Sequence, residues 1–313
     1  MKALVFPGQG SQGVGMGKAL FEAFAVGREV FQEVDEALGQ KLTTIMFEGP
    51  EEALTATENT QPAIMACGIA ALRVLEREAG LDVKAMRCVA GHSLGEYTAL
   101  CAAGSLSLTD TAKLLRIRGS AMQAAVPAGK GAMAAILGPD IAAVRAFVAE
   151  AAEQSGGVVE IANHNGAAQI VISGELAAVE AAMAIAKDKG AKRAVLLAVS
   201  APFHCSLMQP AAEAMRAALA EAKVTAPVVP VIANVTADAV NTPDDIRRLL
   251  VEQVTGVVRW VESVEKMAAL GVTGAIELGH GNVLAGLIKR VVPDMAVTSV
   301  GAPGDLDGYA KAA

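Results

Sequence analysis

The sequence predicts an α/β protein in which a large strand-and-helix domain is interrupted by a small βαββαβ subdomain. Hydrophobic residues make up 53% of the 313 residues and aromatic residues only 3%, a balance that suits Ala-rich helices packed on Val/Ile strands. Short apolar runs alternate with longer helical patterns towards both ends of the chain. Between about residues 129 and 199 the order changes to strand, helix, strand, strand, helix, strand, which is the split-βαβ, ferredoxin-like order.

KALVF reads as the first strand and leads into the glycine-rich loop PGQGSQGVGMG. Helical stretches through Val74 to Glu78 precede MRCVA, a second strand, and its turn GHSLG. A helical pattern follows from Glu96 to Ala103, and another from Leu108 to about Ala125, where Ser107 and Asp110 have capping-box spacing. PAGKG then punctuates the chain. GAMAAIL reads as a strand, and Ile141, Val144, Val148 and Ala151 supply one face of a helix. GVVEIAN and QIVIS form two strands joined through HNGAA, whose Asn165-Gly166 step predicts a hairpin turn. Leu176, Val179, Met183 and Ala186 mark a second helix, and RAVLLAV a fourth strand. After Ser200 the helix-and-strand alternation resumes with VVPVIAN and GAIEL. The expected division is therefore a large domain of residues 1–128 and 200–313 with residues 129–199 inserted.

The net charge of −7 argues against nucleic acid as a partner, because phosphate binding leaves a basic footprint. Mean hydropathy is +0.42, yet no run approaches the ~20 apolar residues that span a bilayer; AIMACGIAAL stops at Arg73. MKALVFPG lacks the apolar core of a signal peptide, since Pro7 and Gly8 interrupt it. Cys67, Cys88, Cys101 and Cys205 form no C-x-x-C pair, which suits free thiols in a reducing, cytoplasmic setting. No metal-ligand cluster is visible.

In VAGHSLGEY, Gly91, Ser93 and Gly95 match G-x-S-x-G between a strand-like and a helical run. A sharp strand-to-helix turn exposes the serine oxygen, and the flanking glycines remove side chains that would crowd it. The next N–H, of Leu94, stands at a helix N-terminus, where it can stabilise a developing oxyanion. A serine nucleophile needs a base, and the chain has four histidines. His92 adjoins the serine, so its side chain should diverge and hydrogen-bond structurally. His164 beside the hairpin turn and His280 in a GHG turn read as surface or turn residues. His204, in SAPFHCSLM between a strand and a long helix, is the best base available once Ser93 is accepted.

Leu114, Leu115, Met122 and Ala125 lie three or four residues from Arg118, which places this arginine on the apolar stripe of its helix, whereas Arg116 faces Ala112, Lys113 and Ser120. An inward guanidinium needs an anion: either an internal Asp or Glu, or a substrate carboxylate held bidentately. Gln253 shares a stripe with Ile246, Leu249, Leu250 and Val257, and is either a satisfied core amide or part of the site. Gly8, Gly10 and Gly13 reproduce G-x-G-x-x-G, but a dinucleotide site also needs an acidic residue about 20 positions on, at the end of a second strand. Glu29, Glu33, Asp35 and Glu36 instead sit in the helix-like FEAFAVGREVFQEVDEAL.

The ordered set PGQGSQ, GHSLGEY, RGSAMQ, APFHC and LVEQVTGVVRW resembles the malonyl-CoA:acyl carrier protein transacylase family over nearly the whole chain. The resemblance implies a large domain related to the α/β-hydrolase fold with an inserted ferredoxin-like subdomain. It implies ping-pong transfer of malonyl from coenzyme A, through an ester on Ser93, to the phosphopantetheine thiol of acyl carrier protein in fatty-acid synthesis, with no cofactor. Carried over by motif, Ser93 is the nucleophile, His204 the base, the N–H groups of Gln9 and Leu94 the oxyanion hole, and Arg118 the carboxylate clamp. Gln253 would orient the histidine through its backbone carbonyl, and Asn163 and Asn165 match an N-x-N near the pocket. His280 stands where relatives more often have proline, and Asn282 where lysine is frequent. Phe203 is compatible with a small acyl group. A monomer without nucleic-acid or membrane partners is expected. The competing readings are an acyl hydrolase or thioesterase, a trans-acting acyltransferase of a polyketide pathway, and a non-catalytic nucleotide-binding or scaffold protein.

Overall fold

The computed structural model describes residues 1–166 and 169–312. Among the described residues ten strands form two sheets: β1 (Lys2–Phe6), β2 (Cys88–Gly91), β3 (Gly131–Leu137), β4 (Val159–Gly166), β5 (Gln169–Glu175), β6 (Arg193–Leu196), β7 (Val231–Ile232), β8 (Ala239–Val240), β9 (Gly274–Leu278) and β10 (Ala296–Val300). The larger sheet has the order β10-β9-β1-β2-β7-β8 and is parallel except for its antiparallel edge β8. The smaller is antiparallel, in the order β4-β5-β3-β6, so its first and third strands lie at its centre, as split-βαβ connectivity requires.

Strand periodicity divides the large core. Leu4 and Phe6 of β1 point into one apolar layer with the long Thr57–Ala79 and Leu108–Ala124 helices, while Ala3 and Val5 point into a second with Trp260, Val264 and Met267. A parallel sheet covered by helices on both faces needs apolar residues in both registers, which is why KALVF carries no alternation. The small sheet buries one face under the helices Ile141–Ser155 and Leu176–Asp188 through Ile136, Ile170, Ile172, Val144 and Val179. The first residue of each helical face read from the sequence, Ile141 and Leu176, is only partly buried.

Two readings of the small sheet need correction. Asn165-Gly166 is not the hairpin turn: β4 continues through Gly166, which pairs with Gln169, and residues 167 and 168 lie outside the described residues. His164 is accordingly a buried strand residue, its Nδ1 3.1 Å from Glu262 Oε2. The local dipeptide preference yields to strand pairing on one side and to a backbone contact on the other, where the His164 N–H donates to Val258 O at 2.9 Å. Val258 in turn donates its N–H to Ala162 O. The small sheet is thus fastened to the chain segment that precedes the Trp260–Ala269 helix.

Candidate active site

β2 ends at Gly91, and the Leu94–Ala102 helix starts three residues later. Ser93 between them adopts φ 54° and ψ −111°, a conformation that L-residues rarely hold without support. The glycines of G-x-S-x-G have a geometric reason. A Cβ on Gly91 would lie 1.9 Å from the Gly95 carbonyl oxygen, and one on Gly95 would lie 2.2 Å from the Phe6 oxygen. The elbow is therefore wedged against the end of β1, and the Leu94 N–H opens the helix without an intrahelical acceptor.

The opening loop closes over this elbow. A Cβ on Gly8 would lie 2.7 Å from the His92 carbonyl oxygen, so Gly8 permits close approach of the Gln9 segment to the serine turn. Gly13 does not begin a helix; the next one spans Lys18–Ala23. Glu29, Glu33, Asp35 and Glu36 all fall within the Ala25–Leu38 helix, so the ribose-binding carboxylate of a dinucleotide site has no counterpart at a strand end.

Ser93 Oγ lies 2.7 Å from His204 Nε2, and His204 Nδ1 lies 2.9 Å from the Gln253 carbonyl oxygen. A carbonyl only accepts, so Nδ1 carries the proton and Nε2 presents its lone pair to the serine hydroxyl. Burial lowers the His204 pKa from 6.5 to about 3, and the neighbouring Arg118 charge pushes the same way, against the Gln253 carbonyl. The resting imidazole is neutral, the state a general base needs. Like Ser93, His204 has positive φ, 58°; both reacting side chains are held by strained backbone.

Arg118 is 1% exposed. Its Nη1 donates to Gln61 Oε1 and its Nη2 to Gln253 Oε1, both at 2.9 Å, and Nη2 also reaches Ser93 Oγ at 3.1 Å. Its guanidinium carbon lies 5.6 Å from the centre of the Tyr97 ring. Among the described residues its hydrogen-bond partners are all neutral and no carboxylate lies within ion-pair distance of it, and Nε is buried without a partner. Of the two sequence alternatives, the internal salt bridge is therefore not made. Neutral amides hold a buried cation beside the nucleophile, with donor capacity left for an incoming anion.

Gln253 is both a core amide and part of the site. Besides its carbonyl contact to His204, its Nε2 donates to the Ser93 carbonyl at 3.0 Å and to Glu96 Oε2 at 2.7 Å. Three further residues escaped the sequence reading. Gln61 holds Arg118. Asn234 Oδ1 accepts the Ser93 N–H at 2.8 Å, and its Nδ2 donates to the Gly91 carbonyl at 2.7 Å. Glu96, 2% exposed, accepts the Asn234 N–H at 2.9 Å as well as the Gln253 amide. Burial raises the Glu96 carboxyl to about 7, against those two donors and the Arg118 charge. The signal for Asn234 was its place just past β7, since open parallel sheets present functional residues at their carboxyl ends.

Ser93, His204, Arg118 and Gln61 line a cleft of about 340 Å³ between the two sheets, which also includes Gln9, Leu94, Asn163, Asn165 and Phe203. Asn165 Oδ1 lies 2.7 Å from His92 Nε2, so His92 turns away from the serine and ties the elbow to β4. His164 and His280 are outside this constellation. His280 instead packs on the opening loop, its Nε2 3.1 Å from where a Gly13 Cβ would stand. Asn282 precedes the Val283–Val291 helix without a side-chain capping bond. Among the described residues no group of three or more His, Cys, Asp or Glu is placed to hold a metal ion.

A serine on a strand-to-helix elbow, hydrogen-bonded to a neutral histidine beneath a two-sheet cleft, defines the class: a serine enzyme of acyl transfer. The chain matches the acyl transferase domain model over residues 3–301, and it belongs to that family. It is 46% identical over 305 residues to a malonyl CoA-acyl carrier protein transacylase of Bacillus subtilis, covering 97% of this chain and 95% of that one. It is 45% identical to the corresponding transacylase of Escherichia coli K12 over 96% of both. Among solved structures, an acyl-carrier-protein-S-malonyltransferase from Bartonella henselae superposes with TM-score 0.96 at 54% identity, over 100% of this chain and 99% of that one. A malonyl-transacylase in complex with a type II PKS acyl-carrier protein superposes with TM-score 0.95 at 41% identity, over the same shares.

Proposed function

We propose that the protein transfers malonyl from malonyl-CoA to the phosphopantetheine thiol of acyl carrier protein, in two half-reactions through a Ser93 ester. The single observation that carries the substrate choice is the buried Arg118, uncompensated by a directly bonded carboxylate and in contact with the nucleophile. An acyl group ending in a carboxylate supplies the anion that this cation lacks.

In the first half-reaction Ser93 Oγ attacks the thioester carbonyl carbon while its proton passes to His204 Nε2. The tetrahedral oxygen takes up negative charge facing the N–H groups of Gln9 and Leu94. Collapse breaks the carbon–sulfur bond, and the departing coenzyme A thiolate takes the proton from His204. In the second, the carrier thiol gives its proton to His204 and attacks the Ser93 ester. Collapse returns malonyl to sulfur and the proton to Ser93 Oγ. Gln253 holds the imidazole through its carbonyl, as the Asp or Glu of a full triad would. Neither half-reaction changes an oxidation state, so the chemistry calls for no redox cofactor. Asn163 and Asn165 line the acyl pocket from the small subdomain.

We assign the reaction to fatty-acid synthesis in the cytoplasm. The four free, buried cysteines suit a reducing compartment, and among the described residues no helix is long and apolar enough to cross a membrane.

Intact mass after malonyl-CoA treatment tests the reading: wild type gains one malonyl, Ser93→Ala gains none, and added holo-carrier protein removes the adduct. An adduct on Ser93→Ala excludes the nucleophile assignment. Discharge to water as fast as to the carrier makes the protein a hydrolase.

A further inference from the structure

Arg118 and Glu96 are both nearly fully buried and carry opposite charges, yet they do not touch directly. Gln253 stands between them: its Oε1 accepts from Arg118 Nη2 at 2.9 Å and its Nε2 donates to Glu96 Oε2 at 2.7 Å. The direction of this amide is fixed chemically, because a guanidinium only donates and a carboxylate only accepts. The same carboxylate oxygen takes the backbone N–H of Asn234, whose side chain brackets the elbow at the Ser93 N–H and the Gly91 carbonyl.

We propose that Glu96 is the counter-ion of Arg118, relayed through the Gln253 amide, and a positioning residue that sets how strongly the site prefers an acyl group bearing a carboxylate; this rests on Arg118 being the acyl clamp. A direct ion pair would satisfy the guanidinium and occupy the donors that the substrate needs. No counter-charge at all would leave a fully buried cation at a high desolvation cost. Holding the carboxylate one amide away balances charge inside the protein while leaving Arg118 open towards Ser93.

Two substitutions separate charge from anchoring. In Glu96→Gln the side-chain oxygen still accepts from Asn234 and Gln253, but the charge is gone. In Glu96→Asp the charge remains and the reach is lost. Ser93 acylation by malonyl-CoA and by acetyl-CoA is followed at pH 8, with KM and kcat determined separately. For Glu96→Gln the malonyl KM is expected to fall on the order of tenfold, the size of effect a unit charge produces across several ångströms of protein. The acetyl KM stays put. For Glu96→Asp the malonyl KM is retained while kcat falls for both. Equal losses for the two donors in Glu96→Gln, with no KM split, overturn the proposal, as do unchanged kinetics. Should Glu96→Gln not be recovered folded, a shifted malonyl KM in Glu96→Asp overturns it instead. Arg118→Ala is the separate control: equal loss of malonyl and acetyl transfer there removes the clamp reading itself, whatever Glu96 does.

Discussion

Each catalytic side chain has its protonation state set by its neighbours, and this makes single substitutions informative. Arg118→Ala removes the only cation in contact with Ser93 Oγ among the described residues. Malonyl loading should fall on the order of 10²–10³-fold, the range for losing one partner of a buried charge pair, while acetyl loading is kept or improved. Parallel loading assays with the two donors check this. His204 gives a pH prediction. Its folded pKa, lowered to about 3, lies below the unfolded value of about 6.5. On acidification the unfolded chain therefore takes up the proton first, so stability from this residue is complete above about pH 6.5 and is lost progressively towards pH 3. Urea midpoints at pH 7 and pH 4.5 should show wild type losing stability relative to His204→Gln over that interval, with the other titrating groups common to both proteins.

Elements carry a second set of constraints, visible where backbone meets backbone. Gly119 on the Leu108–Ala124 helix packs on Thr57–Glu58, and an added Cβ would lie 2.6 Å from the Thr57 carbonyl oxygen. Gly286 on the Val283–Val291 helix is exposed, and nothing lies within 4 Å of an added Cβ. Gly119→Ala should therefore destabilise the protein and displace Arg118 one residue away. Gly286→Ala should stabilise it by roughly 0.5–1 kcal/mol through helix propensity alone. Thermal midpoints of the two variants should move in opposite directions.

The same scale shows what was legible in the sequence. KALVF, GAMAAIL and GAIEL appear as β1, β3 and β9 with their bounds intact, because a continuous apolar run between turn residues has few alternatives. β8, two residues long, and β10, whose first four residues are exposed or only partly buried, carry too little apolar signal to stand out. Ser93, His204 and Arg118 were legible from local context. Gln61, Asn234 and Glu96 were not, because each has its role from partners 57 to 157 positions away; a buried glutamate in a helix looks in sequence like an exposed one. Asn165 was read as both a turn residue and a site candidate, and strand pairing decided against the turn.

At the scale of the whole molecule the cleft exists because the small sheet leans on the large domain. The bond from His92 to Asn165 and the backbone contacts of Ala162 and His164 with Val258 join the two. His92 is partly buried and its ring lies 5.6 Å from that of Trp260, so Asn165→Ala leaves a ring nitrogen without its partner. The expected cost is about 1–3 kcal/mol of stability, with a raised KM for the acyl donor because one wall of the pocket loosens. Chemical denaturation and steady-state kinetics on the same variant check both effects.

β1 lies between β9 and β2 in the large sheet, pairing Leu4 with Ile276 on one side and with Val89 on the other. During synthesis this central strand is made about 270 residues before its neighbour β9. The serine turn, pressed against the end of β1, is likewise made well before His204 and Gln253. Long-range pairing of this kind slows folding in general, and the sheet and the active site are complete only once β9, His204 and Gln253 have joined β1 and Ser93.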